Sequence, residues 1–176
     1  MLSDWYWSAV ISGDYSGSSD TIMSEDFRDI KNWFTTLDTS KIRRINRIGE
    51  IDTVNLKECS KGSSLYNAIL SLIALNKTED FYTLRVLDTG TYTGESIHDH
   101  HIFPKNTKGY PKDLTKQFQN SKDSIINRTL LLDKTNKAIC SQKPSQYLQT
   151  VTTKLKNDST QLRNLLDKHF ISDSGL

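Results

Sequence analysis

Cysteine and proline are scarce in this 176-residue chain, which has two cysteines and three prolines. Cys59 and Cys140 lie far apart and neither belongs to a Cys-x-x-Cys pair. That pattern argues against a disulfide scaffold and reads as two reduced thiols. No apolar run approaches the roughly 20 residues needed to cross a bilayer. The amino terminus, Met1-Leu2-Ser3-Asp4-Trp5-Tyr6-Trp7, lacks the basic and then apolar pattern of a secretion signal. These absences predict a cytoplasmic protein with no membrane partner. Internal repeats and low-complexity tracts are also missing. Histidine is sparse too, with four in the chain, yet His98, His100 and His101 fall within four consecutive positions.

What is present is an ordinary polar composition, 35% hydrophobic and 25% charged, with a net charge of +2. The length suits one domain with a proper core. The small net charge hides an asymmetry. Between His101 and Lys156 there are eleven Lys or Arg against three acidic residues, a balance of +8, which leaves 12 basic against 18 acidic residues elsewhere. A basic stretch by itself is most often a solvated face. Here it coincides with the histidines, which points to a polyanionic partner.

Hydrophobic periodicity predicts a mostly helical chain. A first helix is expected over Ser3 to Ser12, with Ser3 as its cap and its aromatics in the core. A second is expected over Thr21 to Thr35, capped by Asp20. In it Ile22, Met23, Phe27, Ile30, Trp33 and Phe34 recur mostly at steps of three and four. Ser40 to Arg47 reads as a short amphipathic element. Ser63 to Asn76 is apolar nearly all round and predicts a buried helix. Thr78 to Thr93 reads as loop with short strands. Beyond the histidines come a turn at Asn106 to Gly109, a helix opening at Pro111, a strand over Arg128 to Leu132 and a helix capped by Asp133. Two more helices start at Pro144 and at Asp158 or Ser159. The fold class expected is α+β: a single, mostly helical domain with a helical scaffold (1–95), a small ββα unit (96–142) and C-terminal helices (143–176).

Histidine takes up protons and binds metals near neutral pH, so the run Ile97-His98-Asp99-His100-His101-Ile102-Phe103-Pro104 is the first candidate for chemistry. With Asn127 and Asn136 it resembles the HNH (His-Me finger, ββα-metal) nuclease signature: histidine-apolar-x-proline, then asparagine, then asparagine or histidine. The flanks His100-His101-Ile102-Phe103-Pro104-Lys105, Asn127-Arg128-Thr129-Leu130-Leu131-Leu132, Asn136-Lys137 and Pro144-Ser145-Gln146-Tyr147-Leu148 resemble the C-terminal nuclease region of GmrSD-type restriction proteins. The resemblance covers His98 to Leu148, under a third of the chain. It implies a divalent-metal-dependent endonuclease acting on DNA, double-stranded by expectation, in defence against foreign and often modified DNA. It makes His101 the general base, His100 and Asn136 metal ligands, and Asn127 the brace of the loop between the strands. One metal ion is implied, Mg²⁺ or Mn²⁺. An imidazole at position 100, where many relatives carry Asp, favours Mn²⁺, Ni²⁺ or Zn²⁺ relative to a carboxylate. Asp99 is the reserve ligand. An upstream ParB-like nucleotide-binding domain or subunit is also implied, and no such motif is seen in this chain.

Lys105, Lys134 and Lys137 flank the site and are candidates to hold phosphates. Other readings of the histidines are a structural zinc with Cys140, or inert surface groups. A catalytically inactive nucleic-acid-binding module of the same fold is the alternative function. Strand geometry sets a condition as well. Adjacent residues of a regular strand face opposite sides, so His100 and His101 can serve one site only if the strand ends or bulges there. Otherwise His98 and His100 share a face and His98 takes the larger part. His169 reads as incidental.

Overall fold

A computed structural model describes residues 1–17, 19–45, 56–106 and 112–172. Among the described residues the fold is helix-rich with one two-stranded antiparallel sheet. It divides into two compact units, Met1–Ala68 and Ile69–Leu176, so residues 69–95 group with the ββα segment and the C-terminal helices. Among the described residues, no helix is long and apolar enough to cross a membrane. Arg47, residues 107–109 of the expected turn, and Pro111 lie outside the described residues.

In the first unit, α1 (Leu2–Ser12) places Ser3 inside the helix, and Met1 rather than Ser3 occupies the cap. Gly13 ends it at φ 66°, a left-handed conformation that glycine adopts without a Cβ penalty. Helix α2 (Ser19–Thr36) likewise carries Asp20 in its first turn, where a carboxylate favours the helix dipole, instead of before it. The apolar residues of α2 do not form the core. Met23, Phe27 and Phe34 are exposed, and Asp26 and Asp29 are buried. Asp26 accepts hydrogen bonds from Trp5 Nε1 (3.1 Å), Tyr15 Oη (2.5 Å) and Arg44 Nε (2.6 Å). Arg44 also pairs with Asp14 at 2.6 Å, and Arg43 with Asp29 at 3.1 Å. Charges can be buried when each is paired and hydrogen-bonded. Periodicity says which residues share a helix face, and it does not say what covers that face. Tyr6 of the α1 aromatic cluster is exposed as well.

In the second unit, the later half of α3 (Ser64–Leu75) packs one stripe. Ile73 joins Leu87, Leu130 and Leu132, with Ile69, Leu70 and Ala74 alongside, while Leu72 and Leu75 are exposed. The helix is therefore not buried all round. An antiparallel bridge, Glu79 to Val86, and a short helix α4 (Thr89–Gly94) follow. Asp88 caps α4 by accepting from the Thr91 amide, which turns the expected loop into a helical turn.

Strands β1 (Ile97–His101) and β2 (Arg128–Leu132) pair antiparallel, with α5 (Lys112–Ser121) between them and α6 (Asp133–Ile139) directly after. All five β2 residues are buried. Leu130 and Leu132 face the α3 cluster. Leu131 faces Phe81, Ile139 and the apolar sides of α7 (Pro144–Lys154) and α8 (Ser159–Lys168). The cap of α6 is Leu132 with no side-chain bond, and Asp133 is its first helical residue. Pro144 opens α7, and Asp158 caps α8 through the Thr160 and Gln161 amides.

Asp80 joins these parts. It is wholly buried and accepts from the Leu132 amide (2.9 Å) and Thr135 Oγ1 (2.7 Å), and also from the amides of Tyr82 and Thr83 in its own turn. The β2–α6 junction is thus bonded to a single carboxylate more than fifty residues earlier.

Candidate active site

The register assigns the histidines to faces. His100 lies opposite Thr129, and His101 opposite Arg128. Cross-strand partners share a face and neighbours alternate. His100 therefore points with Thr129 toward α6 and α7, and His101 points with Arg128 to the other side. His101 is also the last residue of β1. There the chain turns away, with the Ile102 amide bonded to the Asn127 carbonyl at 3.1 Å. Both side chains consequently reach one cleft of about 450 Å³, lined also by Pro104, Lys105, Asn106, Asn136, Lys137, Cys140 and Ser141. The strand end meets the geometric condition without a bulge.

His100 is 3% exposed and its Nδ1 lies 2.8 Å from Asn136 Oδ1. Its Nε2 is buried without a hydrogen-bond partner. Burial pushes its pKa below the ordinary imidazole range, which favours the neutral ring. His101 Nε2 lies 3.0 Å from Asp123 Oδ1, and its Nδ1 lies 3.3 Å from Arg128 Nη1. Burial lowers its pKa too, with the Arg128 and Lys105 cations adding to the effect.

Asn127 is buried and holds the segment after β1 from both sides. Its Nδ2 donates to the Phe103 carbonyl (2.9 Å) and the Lys122 carbonyl (2.9 Å), and its Oδ1 accepts from the Phe103 amide (2.8 Å). Tyr147 Oη donates to the Ile102 carbonyl at 3.0 Å, so α7 fixes the same segment.

The structure separates the remaining candidates. Asp99 faces Arg128 Nη1 at 3.6 Å and is not among the cleft-lining residues. His98 pairs with Asp133 at 3.0 Å, and Lys134 with Glu95 at 3.6 Å, both away from the cleft lining. Lys105 pairs with Asp123 at 2.8 Å and Lys137 with Asp133 at 2.6 Å, and both line the cleft. These ammonium groups are more than half exposed, so their pairs are weak and exchangeable. Cys140, with φ 51°, ends α6 at the cleft edge.

Among the described residues, no group of three or more His, Cys, Asp or Glu side chains is placed to share a metal ion. The available donor set is one imidazole and one amide oxygen. Their 2.8 Å separation is that of a hydrogen bond in which Nδ1–H donates to Oδ1, so a cation held by both atoms would take the place of that proton. A cation bound there would keep most of its coordination sphere for water and substrate oxygens.

Sequence reasoning missed Asp123, Arg128, Asp80 and His169. Asp123 accepts from His101, Lys105 and Arg128 together, and the Lys105 and His101 bonds pull its pKa down to about 2. No spacing rule announces it, because it reaches His101 from outside the strands. His169 is 2% exposed. Its Nδ1 accepts from Thr129 Oγ1 (2.5 Å) and its Nε2 donates to the Glu79 carbonyl (2.8 Å).

Burial drops the His169 pKa to about 4, against about 6.5 in an unfolded chain. Between these values the unfolded state takes up a proton that the folded state refuses, so stability is full above pH 6.5 and falls as the pH is lowered toward 4. The loss expected from His169 between pH 7 and pH 5 is about 2 kcal/mol, and His100 and His101 add to it with the same sign. Urea titrations at the two pH values measure it. Equal stabilities would show that His169 takes up its proton in the folded state over the same pH range as in the unfolded chain.

No family model matches the chain. No solved structure matches it. One curated protein does. It is an uncharacterized protein of Methanocaldococcus jannaschii, 33% identical over 187 aligned positions that cover 98% of this chain and 30% of that protein. The chain thus spans under a third of the length of the relative it matches.

Proposed function

We propose that the cleft is the active site of a divalent-metal-dependent endonuclease of the ββα-metal (HNH) class that hydrolyses DNA phosphodiester bonds. The observation that carries this reading is the convergence of His100, His101 and Asn136 on one cleft from a strand–strand–helix unit. His101, β2 and α6 of that unit lie within the stretch whose charge balance is +8. His100 and Asn136 would hold the metal, which would supply positive charge to the phosphate and to the departing oxygen. His101, whose burial disfavours the charged ring, takes the proton from the attacking water. Asn127 and Tyr147 hold the turn that carries His101 to the cleft. Lys105 and Lys137 exchange their carboxylate partners for phosphate oxygens, which aligns the backbone without reading bases.

A role in restriction or anti-phage defence belongs to this proposal, as does an upstream ParB-like nucleotide-binding domain or subunit. The greater length of the archaeal relative is compatible with such a part. The test is cleavage of modified and unmodified duplex DNA with Mg²⁺, Mn²⁺, Ni²⁺ or Zn²⁺. Cleavage is expected with at least one metal and should stop on addition of EDTA. Salt-dependent DNA binding with no EDTA-sensitive cleavage would instead identify an inactive nucleic-acid-binding module.

A further inference from the structure

We propose that Asp123 is a positioning residue that fixes the ring of His101 in the tautomer whose Nδ1 carries the lone pair. The proposal deepens the nuclease reading and rests on it for its catalytic consequence, though not for the tautomer itself.

The assignment follows from the donors and acceptors around one ring. Asp123 Oδ1 lies 3.0 Å from His101 Nε2. A carboxylate only accepts, so Nε2 carries the hydrogen. On the other side, Arg128 Nη1 lies 3.3 Å from Nδ1. A guanidinium only donates, so Nδ1 is unprotonated. The opposite tautomer would set hydrogen against hydrogen at Arg128 and lone pair against lone pair at Asp123. Two independent neighbours therefore select the same form.

Asp123 is itself held in place. Arg128 Nη2 and Lys105 Nζ each reach Oδ1 at 2.8 Å, and Arg128 Nη1 donates to the Asp99 carbonyl at 3.1 Å inside β1. Arg128 is nearly buried, with its side chain 5% exposed, so it is a fixed strut rather than a mobile surface cation. Its contact with Nδ1 lies at the long end of hydrogen bonding, and the proposed step requires the attacking water to take its place there. In the hydrolytic step, one proton of the attacking water passes to Nδ1. The water oxygen bonds to phosphorus, and the leaving oxygen departs with the electron pair of the broken P–O bond. The imidazolium formed then faces the Asp123 carboxylate across Nε2–H, which supplies the counter-charge at the moment it is needed. Lys105 shares that carboxylate, and its transfer to a substrate phosphate leaves Asp123 to the ring and Arg128.

The experiment uses ¹⁵N-histidine-labelled whole chain and long-range ¹H–¹⁵N correlation spectra at neutral pH, together with kcat and KM for DNA cleavage. The parental protein should show His101 protonated at Nε2. Asp123→Ala should shift that signature toward the Nδ1–H form or a mixture. It should lower kcat by roughly 10- to 100-fold, a fraction of what general-base catalysis supplies, with KM unchanged or lower because Lys105 has lost its carboxylate partner. Asp123→Asn keeps the side-chain shape and an accepting oxygen, and should fall between the two. It also guards against misfolding of the alanine variant. An unaltered Nε2–H signature in both variants, or a rise in KM at constant kcat, would overturn the proposal. A parental protein that binds but never cleaves DNA, yet shows the predicted tautomer and its loss in Asp123→Ala, would sink the nuclease reading and leave the positioning role standing.

Discussion

Replacing His101 with alanine should remove DNA cleavage, by a factor of roughly 10² to 10⁴, the range that a general base contributes. Folding and DNA binding should remain close to parental. The expectation of an intact fold comes from where the ring sits. His101 is half-buried at the last position of β1, and the Arg128–Asp123 pair beneath it stays bonded at 2.8 Å when the ring is removed. The backbone register at 101–128 involves no side chain. The same substitution at His100 would not be so clean. That ring is buried, stands edge-on to Tyr147 with centroids 6.0 Å apart, and bonds to Asn136. Plasmid nicking assays with the best metal, alongside circular dichroism and filter binding, decide the matter. A His101→Ala protein that cuts at the parental rate would remove the ring from the mechanism and the cleft from its role.

The largest loss of stability is expected at Asp80. In Asp80→Ala the Leu132 amide and the Thr135 hydroxyl, on residues 1% and 2% exposed, lose the acceptor they share, and the turn amides of Tyr82 and Thr83 lose theirs. Buried donors left without partners cost about 1–3 kcal/mol each, and breaking a buried charged network commonly costs 3–5 kcal/mol in total. A loss of about 4 kcal/mol is therefore expected for Asp80→Ala, read from the urea midpoint at constant slope. Asp80→Asn keeps the shape but turns one acceptor into a donor, which would face either the Leu132 amide or the Thr135 hydroxyl, so an intermediate loss is expected. The effect should extend to the cleft, because Asn136 follows Thr135 directly in α6. A change of only a few tenths of a kcal/mol would mean that water or a neighbouring acceptor takes over these donors.

Much of the element pattern was legible from the sequence, for identifiable reasons. Arg128–Leu132 reads as a strand because threonine and three leucines stand between an asparagine and an aspartate. The helix at Pro144 follows from proline's suitability for a first helical turn. Asp158 caps α8 because its carboxylate reaches the two amides that follow. The failures have reasons too. Ser3 and Asp20 carry the right chemistry for a cap but fall one residue inside their helices, where boundaries are set by tertiary packing rather than by the cap itself. Helix α2 has a regular apolar repeat, yet the carboxylates between its apolar residues are the buried ones, since Arg43, Arg44, Trp5 and Tyr15 supply their partners.

At the cleft the division is sharper. Sequence by itself determined which residues are chemically able to act: adjacent histidines ahead of a proline, an asparagine just ahead of the second strand, another on the helix beyond it, and a basic setting for most of them. It also stated the difficulty that neighbouring strand residues point apart. Only the tertiary structure resolved that difficulty, because the end of β1 at His101 is a matter of where pairing with β2 stops. Only the tertiary structure could bring in Asp123, Arg128 and Asp80. Their partners stand from 22 to 55 residues away in some of these bonds, and hydrogen bonds between distant residues leave no period or spacing in a sequence. Side-chain chemistry is local and can be read along the chain. The state in which a histidine is held depends on what folding sets against each of its nitrogens.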